Sequence, residues 1–115
     1  AFAAFHKLNH LRVIVDANGQ QCDGAVSSVG LIDPLADRVT AFGWDAREVD
    51  GHDLTALDTA MGTPSERPIL VIARTNPTNH VPLYAERAPL LHTLRFSSPE
   101  DKARFEQAYK EMAAL

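Results

Sequence analysis

The feature that most constrains this chain is a pair of short apolar runs with helix signals between them. "LRVIVD" (residues 11–16) and "ILVIAR" (residues 69–74) are rich in β-branched and aliphatic side chains and are flanked by turn formers. Runs of this length and apolarity suit strands of a parallel sheet, and the first reads as a strand with a central segment, Val13, Ile14 and Val15, buried on both faces. Asp33-Pro34 predicts a helix with Asp33 at its N-cap and Pro34 at its first position, an apolar face of Leu31, Leu35, Val39 and Phe42, and a stop at Gly43. "WDAREV" (residues 44–49) reads as a further strand. Asp53 predicts the cap of a second helix that presents Leu54, Leu57 and Met61 on one face. Residues 1–8 have high helix propensity, and Ser98-Pro99-Glu100-Asp101 opens a last helix with Phe105, Ala108, Tyr109 and Met112 on its apolar side. Alternation of this kind predicts an α/β fold, a parallel sheet with helices on both faces.

Two stretches carry no period. Residues 20–30 read as a loop, and residues 75–97 as a long irregular connection of the kind that often carries function. Three strands are few for such a sheet, so further strands are expected from preceding residues or from a partner. The opening "AFAAFHKL" reads as the end of an apolar helix with no cap, as expected for part of a longer polypeptide.

Composition narrows the function classes. With 45% hydrophobic and 23% charged residues the chain suits a packed core rather than disorder. A net charge of -4 argues against nucleic acid, whose binders carry basic stripes. No apolar run approaches the roughly 20 residues that span a bilayer, and no signal peptide is visible, so no membrane partner is expected. Cys22 is the one cysteine, which excludes an internal disulfide and fits a reducing, cytoplasmic setting. The five His have no compact zinc spacing.

In open parallel sheets, ligands sit beyond the carboxyl ends of the strands. "DANGQQ" (residues 16–21) stands there for the first strand. The Asn18 side-chain oxygen and the Gln20 carbonyl suit a hard cation such as Mg²⁺. Asn-Gly after a strand is also an ordinary turn, and the residues alone leave both readings open.

The longer string "AAFHKLNHLRVIVDANGQQCDG" resembles the second half of the thiamine-diphosphate signature of the transketolase family, a helix ending in His-Lys-Leu, a strand, and Asp-x-Asn-x-x-x-x-Asp-Gly. "PLADRVTAFGWDAREVDGHDLTAL" is similar to the family's passage from a helix through Ala-Phe-Gly-Trp to Asp-Gly-His-Asp, and "RPILVIART" resembles its Lys-Pro to Lys-Thr strand. The resemblance is specific from about residue 3 to 74 and looser to the end. It implies a partial thiamine-diphosphate-binding fold, with residues 1–115 as the C-terminal part of the diphosphate-binding domain, 75–97 as an altered loop and 98–115 as a terminal helix. It implies thiamine diphosphate and Mg²⁺ as cofactors, with Asn18 and the Gln20 carbonyl as metal ligands. Cys22 matches a position near the thiazolium, and His92 and His80 fall in the loop where substrate and diphosphate approach. Asp16 and Gly24 match signature positions that look structural.

The departures matter as much. The signature's first half, Gly-Asp-Gly with its metal-binding Asp, is absent, and so is the catalytic Glu of the pyrimidine-binding domain. No catalytic residue is therefore expected in this chain. Leu91 and Thr93 replace the family's Trp and Gly around His92, and His80 stands where Gly is usual. The resemblance implies a transketolase-like transferase component that moves a two-carbon ketol unit between sugars or sugar-like substrates. It would act with a complementary C-terminal, pyrimidine-binding subunit in a dimer or heterotetramer. Two alternatives stand beside it: a non-catalytic assembly subunit or degenerate α/β module, and a related thiamine-diphosphate synthase or dehydrogenase component.

Overall fold

The computed structural model describes residues 1–114. The chain runs α1 (Phe2–Phe5), β1 (Arg12–Ala17), β2 (Gln20–Gln21), β3 (Gly24–Ala25), α2 (Val26–Val29), α3 (Leu35–Ala41), β4 (Asp45–Asp50), α4 (Leu54–Gly62), β5 (Ile69–Arg74), a 3₁₀ turn at Pro82–Glu86 and α5 (Pro99–Met112). These elements form two compact units: Ala1–Asn18 with Leu31–Thr75, and Gly19–Gly30 with the segment from Asn76 on.

The first unit is a parallel sheet in the order β1-β5-β4. The path from β1 to β4 steps across β5, and the path from β4 to β5 steps back. By the rule that such crossovers are right-handed, connections running in opposite directions carry α3 and α4 to opposite faces, the arrangement expected of this fold class. Ile69 and Val71 share one face with Val49, and α4 lays Leu57, Ala60 and Met61 over them. Ile69, Val71 and Ile72 are completely buried, each worth about 1.5–3 kcal/mol of removed apolar surface. Asp53 caps α4 as expected, its Oδ1 accepting from the backbone N–H of Thr55 at 2.9 Å and Ala56 at 3.0 Å. At the other end of α4, Arg47 donates Nη1 to the Ala60 and Thr63 carbonyls and pairs with Asp45 at 2.6 Å. That ties β4 to the helix terminus whose carbonyls lack intrahelical partners.

The second unit contains the β2-β3 antiparallel hairpin, α2 and α5. Its buried apolar side chains include Val81 and Phe105. The Phe105 ring stands 5.9 Å from Tyr84 and 5.6 Å from Phe96, with the Arg87 guanidinium 5.5 Å above it. Asp101, one turn before Phe105 on α5, is buried and accepts from the Ser97 backbone N–H at 2.9 Å and from Arg87 Nη2 at 2.5 and 2.7 Å. The Ser97 N–H first, and the Arg87 guanidinium after it, hold this carboxyl down to about 2. Ser98 caps α5 as expected, its Oγ accepting from Asp101 N–H at 3.1 Å.

Several local expectations are corrected. Of the segment expected to be buried on both faces, Val13 and Val15 are half-buried and Ile14 is 53% exposed; among the described strands β5 lies between β1 and β4. The cap position of α3 moves by one residue: the helix begins at Leu35 with Pro34 at the cap, and the Asp33 carboxylate accepts both from Arg74 Nη2 at 3.1 Å and from the Leu35 backbone N–H. On the expected face of α3, Leu35 and Val39 are half-buried, whereas Leu31 and Phe42 are exposed. Leu54 is likewise exposed, while Leu57 and Met61 pack as expected. Of the expected loop at 20–30, a hairpin and a short helix occupy most. Helix 1–8 is reduced to Phe2–Phe5, and the expected terminal helix 98–115 is Pro99–Met112, with Leu115 outside the described residues.

Candidate functional site

The register of the sheet brings its strands to one level at their carboxyl ends: Ala17 lies opposite Arg74, and Arg74 opposite Asp50. Asn18 follows at once on β1, and Thr75 follows on β5. Asn18 Nδ2 donates to Asp16 Oδ2 at 3.0 Å, and the Thr75 hydroxyl donates to the other carboxylate oxygen, Oδ1. Nδ2 is the donor in this bond, so the NH₂ end of the Asn18 carboxamide faces Asp16. The carbonyl end is thereby aimed away from Asp16. Thr75 is itself seated against the end of β4. A Cβ on Gly51 would stand 2.4 Å from Thr75 Cγ2 and 3.0 Å from the Arg74 carbonyl oxygen, so a side chain there would displace the threonine. The Gly of "DGHD" is thus a close-approach glycine. The Gly51 N–H also donates to the Arg74 carbonyl at 2.8 Å.

On the same rim, Arg74 makes a two-pronged pair with Glu48, Nε to Oε1 and Nη2 to Oε2, both at 3.0 Å. Together with Asp33 this holds the guanidinium more firmly charged, and the hydrogen bond from Arg74 lowers the Asp33 carboxyl below its usual range. The side chains are 42–46% exposed, so solvent screens both pairs.

Gln20 lies in the hairpin. Gln21 pairs with Gly24 around the turn at Cys22-Asp23, Gln20 pairs with Ala25, and the Val26 N–H donates to the Gly19 carbonyl at 2.9 Å. Antiparallel ladders alternate hydrogen-bonded and non-bonded pairs. With Gly19 bonded to Val26, Gln20 and Ala25 form a non-bonded pair, and the Gln20 carbonyl is directed away from the partner strand. Gly19 has φ +74°, a left-handed turn that suits glycine.

The remaining predicted residues lie in the second unit. Cys22 and His92 line one cleft of about 720 Å³ together with Glu86, Arg87, Thr93 and Arg95. Cys22 is a free, exposed thiol. His80 is not in this cleft; it lines another, with Pro82, Leu83, Ala108 and Met112. His80 also has φ +62°, a conformation that favours the glycine for which this position was noted. Sequence reasoning did not single out Thr75 or Arg87. The Thr75 contact with Asp16 spans 59 positions and that of Arg87 with Asp101 spans 14, so no local pattern could flag either. Among the described residues, no group of three or more His, Cys, Asp or Glu is placed to hold a metal ion, and no helix is long and apolar enough to cross a membrane.

Comparison with known proteins gives a consistent picture. Residues 1–88 match the family described as "Transketolase, thiamine diphosphate binding domain". A transketolase family protein of Sinorhizobium fredii is 34% identical over 102 residues, 85% of this chain and 36% of that protein. A 6-deoxy-6-sulfo-D-fructose transketolase subunit of a Clostridium species is 35% identical over 60 residues, 52% of this chain and 22% of that subunit. Among solved structures, the transketolase of Campylobacter jejuni superimposes with a TM-score of 0.56 at 31% identity, over 64% of this chain and 12% of that one. The chain thus spans about a third or less of the length of each of these relatives.

Proposed function

Because the chain belongs to the transketolase family, through its thiamine diphosphate binding domain, we propose that it is the diphosphate-anchoring part of a Mg²⁺-dependent ketol transferase. The observation that carries this reading is Asn18 at the carboxyl end of β1 with its carboxamide turned by Asp16. Open parallel sheets bind ligands at that place. The residues fit a hard cation. Mg²⁺ takes oxygen donors, often few from the protein and the rest from water and phosphate. Asn18 Oδ1 and the Gln20 carbonyl are donors of that kind, and the hairpin directs the second away from its own ladder. A further Asp ligand would come from outside these residues.

The bound cofactor would supply the chemistry that breaks a ketose carbon–carbon bond and passes a two-carbon unit to an aldehyde. This chain's part is placement and charge neutralisation at the diphosphate. Cys22 and His92, in their cleft with two arginines, and His80, in its own, are assigned to the cofactor or substrate side. The general acid-base group belongs to a complementary pyrimidine-binding subunit or domain, in a dimer or heterotetramer. One relative's designation as a transketolase subunit supports that arrangement. Sugar or sugar-like ketoses are the proposed substrates, and the lone cysteine supports a cytoplasmic setting. The domain assignment, residues 1–115 as the C-terminal part of the diphosphate-binding domain, belongs to the same proposal.

The test is a titration of the chain, assembled with its complementary subunit, with thiamine diphosphate in the presence of Mg²⁺. Asn18→Ala is expected to weaken binding by more than about tenfold. Unchanged Mg²⁺-dependent binding would overturn the reading.

A further inference from the structure

We propose that Thr75 is a positioning residue for Asn18, acting through Asp16. The inference rests on the reading of Asn18 as a cation ligand and adds to it the device that aims the ligand. Asp16 stands between the two. One carboxylate oxygen accepts from the Thr75 hydroxyl and the other from Asn18 Nδ2 at 3.0 Å. A carboxylate bonded at one oxygen alone can rotate about its last torsion, and Asn18 would follow it. Bonded at both, it is fixed in plane, and the carboxamide is fixed with it. Outer groups of this kind orient metal ligands and are worth about 10–100-fold in metal affinity.

The rest of the rim is built around the same threonine. Thr75 comes from the end of β5, the central strand, and Asp16 and Asn18 from the end of β1. From the end of β4, Gly51 leaves the space that Thr75 Cγ2 fills. Three strand ends therefore meet at one side chain, whose hydroxyl bonds Asp16. The methyl provides packing and the hydroxyl provides aim, so the two are separable by substitution. Thr75→Val keeps the shape and deletes the donor, whereas Thr75→Ser keeps the donor and deletes the methyl.

The experiment compares the full chain with Thr75→Val, Thr75→Ser and Asn18→Ala. In the metal-free, ¹⁵N-labelled chain, the Asn18 side-chain NH₂ protons should exchange with water about tenfold faster in Thr75→Val and stay near the parent rate in Thr75→Ser. In the assembly, Mg²⁺-dependent thiamine diphosphate affinity should fall about tenfold in Thr75→Val and be largely kept in Thr75→Ser. If Asn18→Ala weakens binding and Thr75→Val changes neither exchange nor affinity, this inference alone fails. If both threonine variants weaken binding equally, the effect is packing and positioning by the hydroxyl is refuted. If Asn18→Ala leaves binding unchanged, the metal reading falls and the inference falls with it.

Discussion

The two units hold themselves together by different means. In the first, Ile69, Val71, Ile72 and Ala73 are buried along one strand, and α4 closes over Ile69 and Val71 with Leu57, Ala60 and Met61. In the second, Phe105 gathers Tyr84, Phe96 and Arg87, and Asp101 gathers Arg87, Ser97 and Ser98. The first is a ladder of backbone bonds with an apolar face, whose strength is spread over many equivalent positions. The second is two hubs one helical turn apart, where a few side chains from distant segments carry the assembly. Distributed burial tolerates a lost methyl; a hub does not tolerate losing its centre.

The largest expected effect follows from that contrast. Phe105→Ala should cost about 3–5 kcal/mol and Ile72→Ala about 2–5 kcal/mol, both from lost burial and the cavity left behind. The distribution of the damage should differ. Amide exchange should show Phe105→Ala stripping protection from α5 and from the turn at Pro82–Glu86 while β1, β5 and β4 keep theirs. Ile72→Ala should lower protection across the three strands. Loss of strand protection in Phe105→Ala would mean that the two units are one cooperative body, and the comparison would be wrong.

Acid is the second way to separate them. The Asp101 carboxyl is held down to about 2 by the Ser97 N–H and Arg87. A carboxyl lowered in the folded state contributes stability that is complete above its unfolded value and is lost as pH falls toward the folded one. For Asp101 that window runs from about pH 4 to about pH 2. The second unit should therefore lose protection across this window ahead of the sheet, whose core is apolar. Asp101→Asn should leave the second unit weaker at neutral pH and remove most of its acid sensitivity. Simultaneous loss from both units, with the same midpoint in the parent chain and in Asp101→Asn, would break the argument.

The same contrast explains what could be read in advance. β5 is legible as "ILVIAR" because its burial is continuous along the chain, and the caps at Asp53 and Ser98 are legible because a cap acts within three residues. Asp33 reads as a cap by the same local rule, and it does receive the Leu35 backbone N–H, but its bond from Arg74, 41 positions away, is invisible to that rule. The hairpin at Gln20–Gln21 and Gly24–Ala25 has two-residue strands, too short for any period to register. Val13, Ile14 and Val15 read as buried on both faces because a run of apolar residues does not say what covers each face, and Ile14 is exposed among the described residues. At the candidate site, the place of Asn18 at a strand end is visible in "VIVDANG", and its role comes from the resemblance. The hold on its carboxamide is invisible, because Thr75 is 59 positions from Asp16.

The smallest expected effect concerns His80, which sits in the left-handed region at φ +62°. For a residue with a Cβ that conformation costs about 1 kcal/mol, whereas glycine adopts it freely. Glycine also loses more backbone entropy on folding, about 0.5–1 kcal/mol against an ordinary residue. The two terms oppose, so His80→Gly should change the stability of the second unit by less than about 1 kcal/mol. His80→Ala keeps the strain and removes the imidazole, so it isolates what the ring does in its cleft with Pro82, Leu83, Ala108 and Met112. If His80 is there for its backbone alone, both variants should bind thiamine diphosphate as the parent does. If the ring contacts cofactor or substrate, both should weaken binding equally while only the alanine variant retains the strain in thermal unfolding. A glycine variant destabilised by several kcal/mol would show that the imidazole packs as part of the core, and the loop would then belong with the ladder rather than with the hubs.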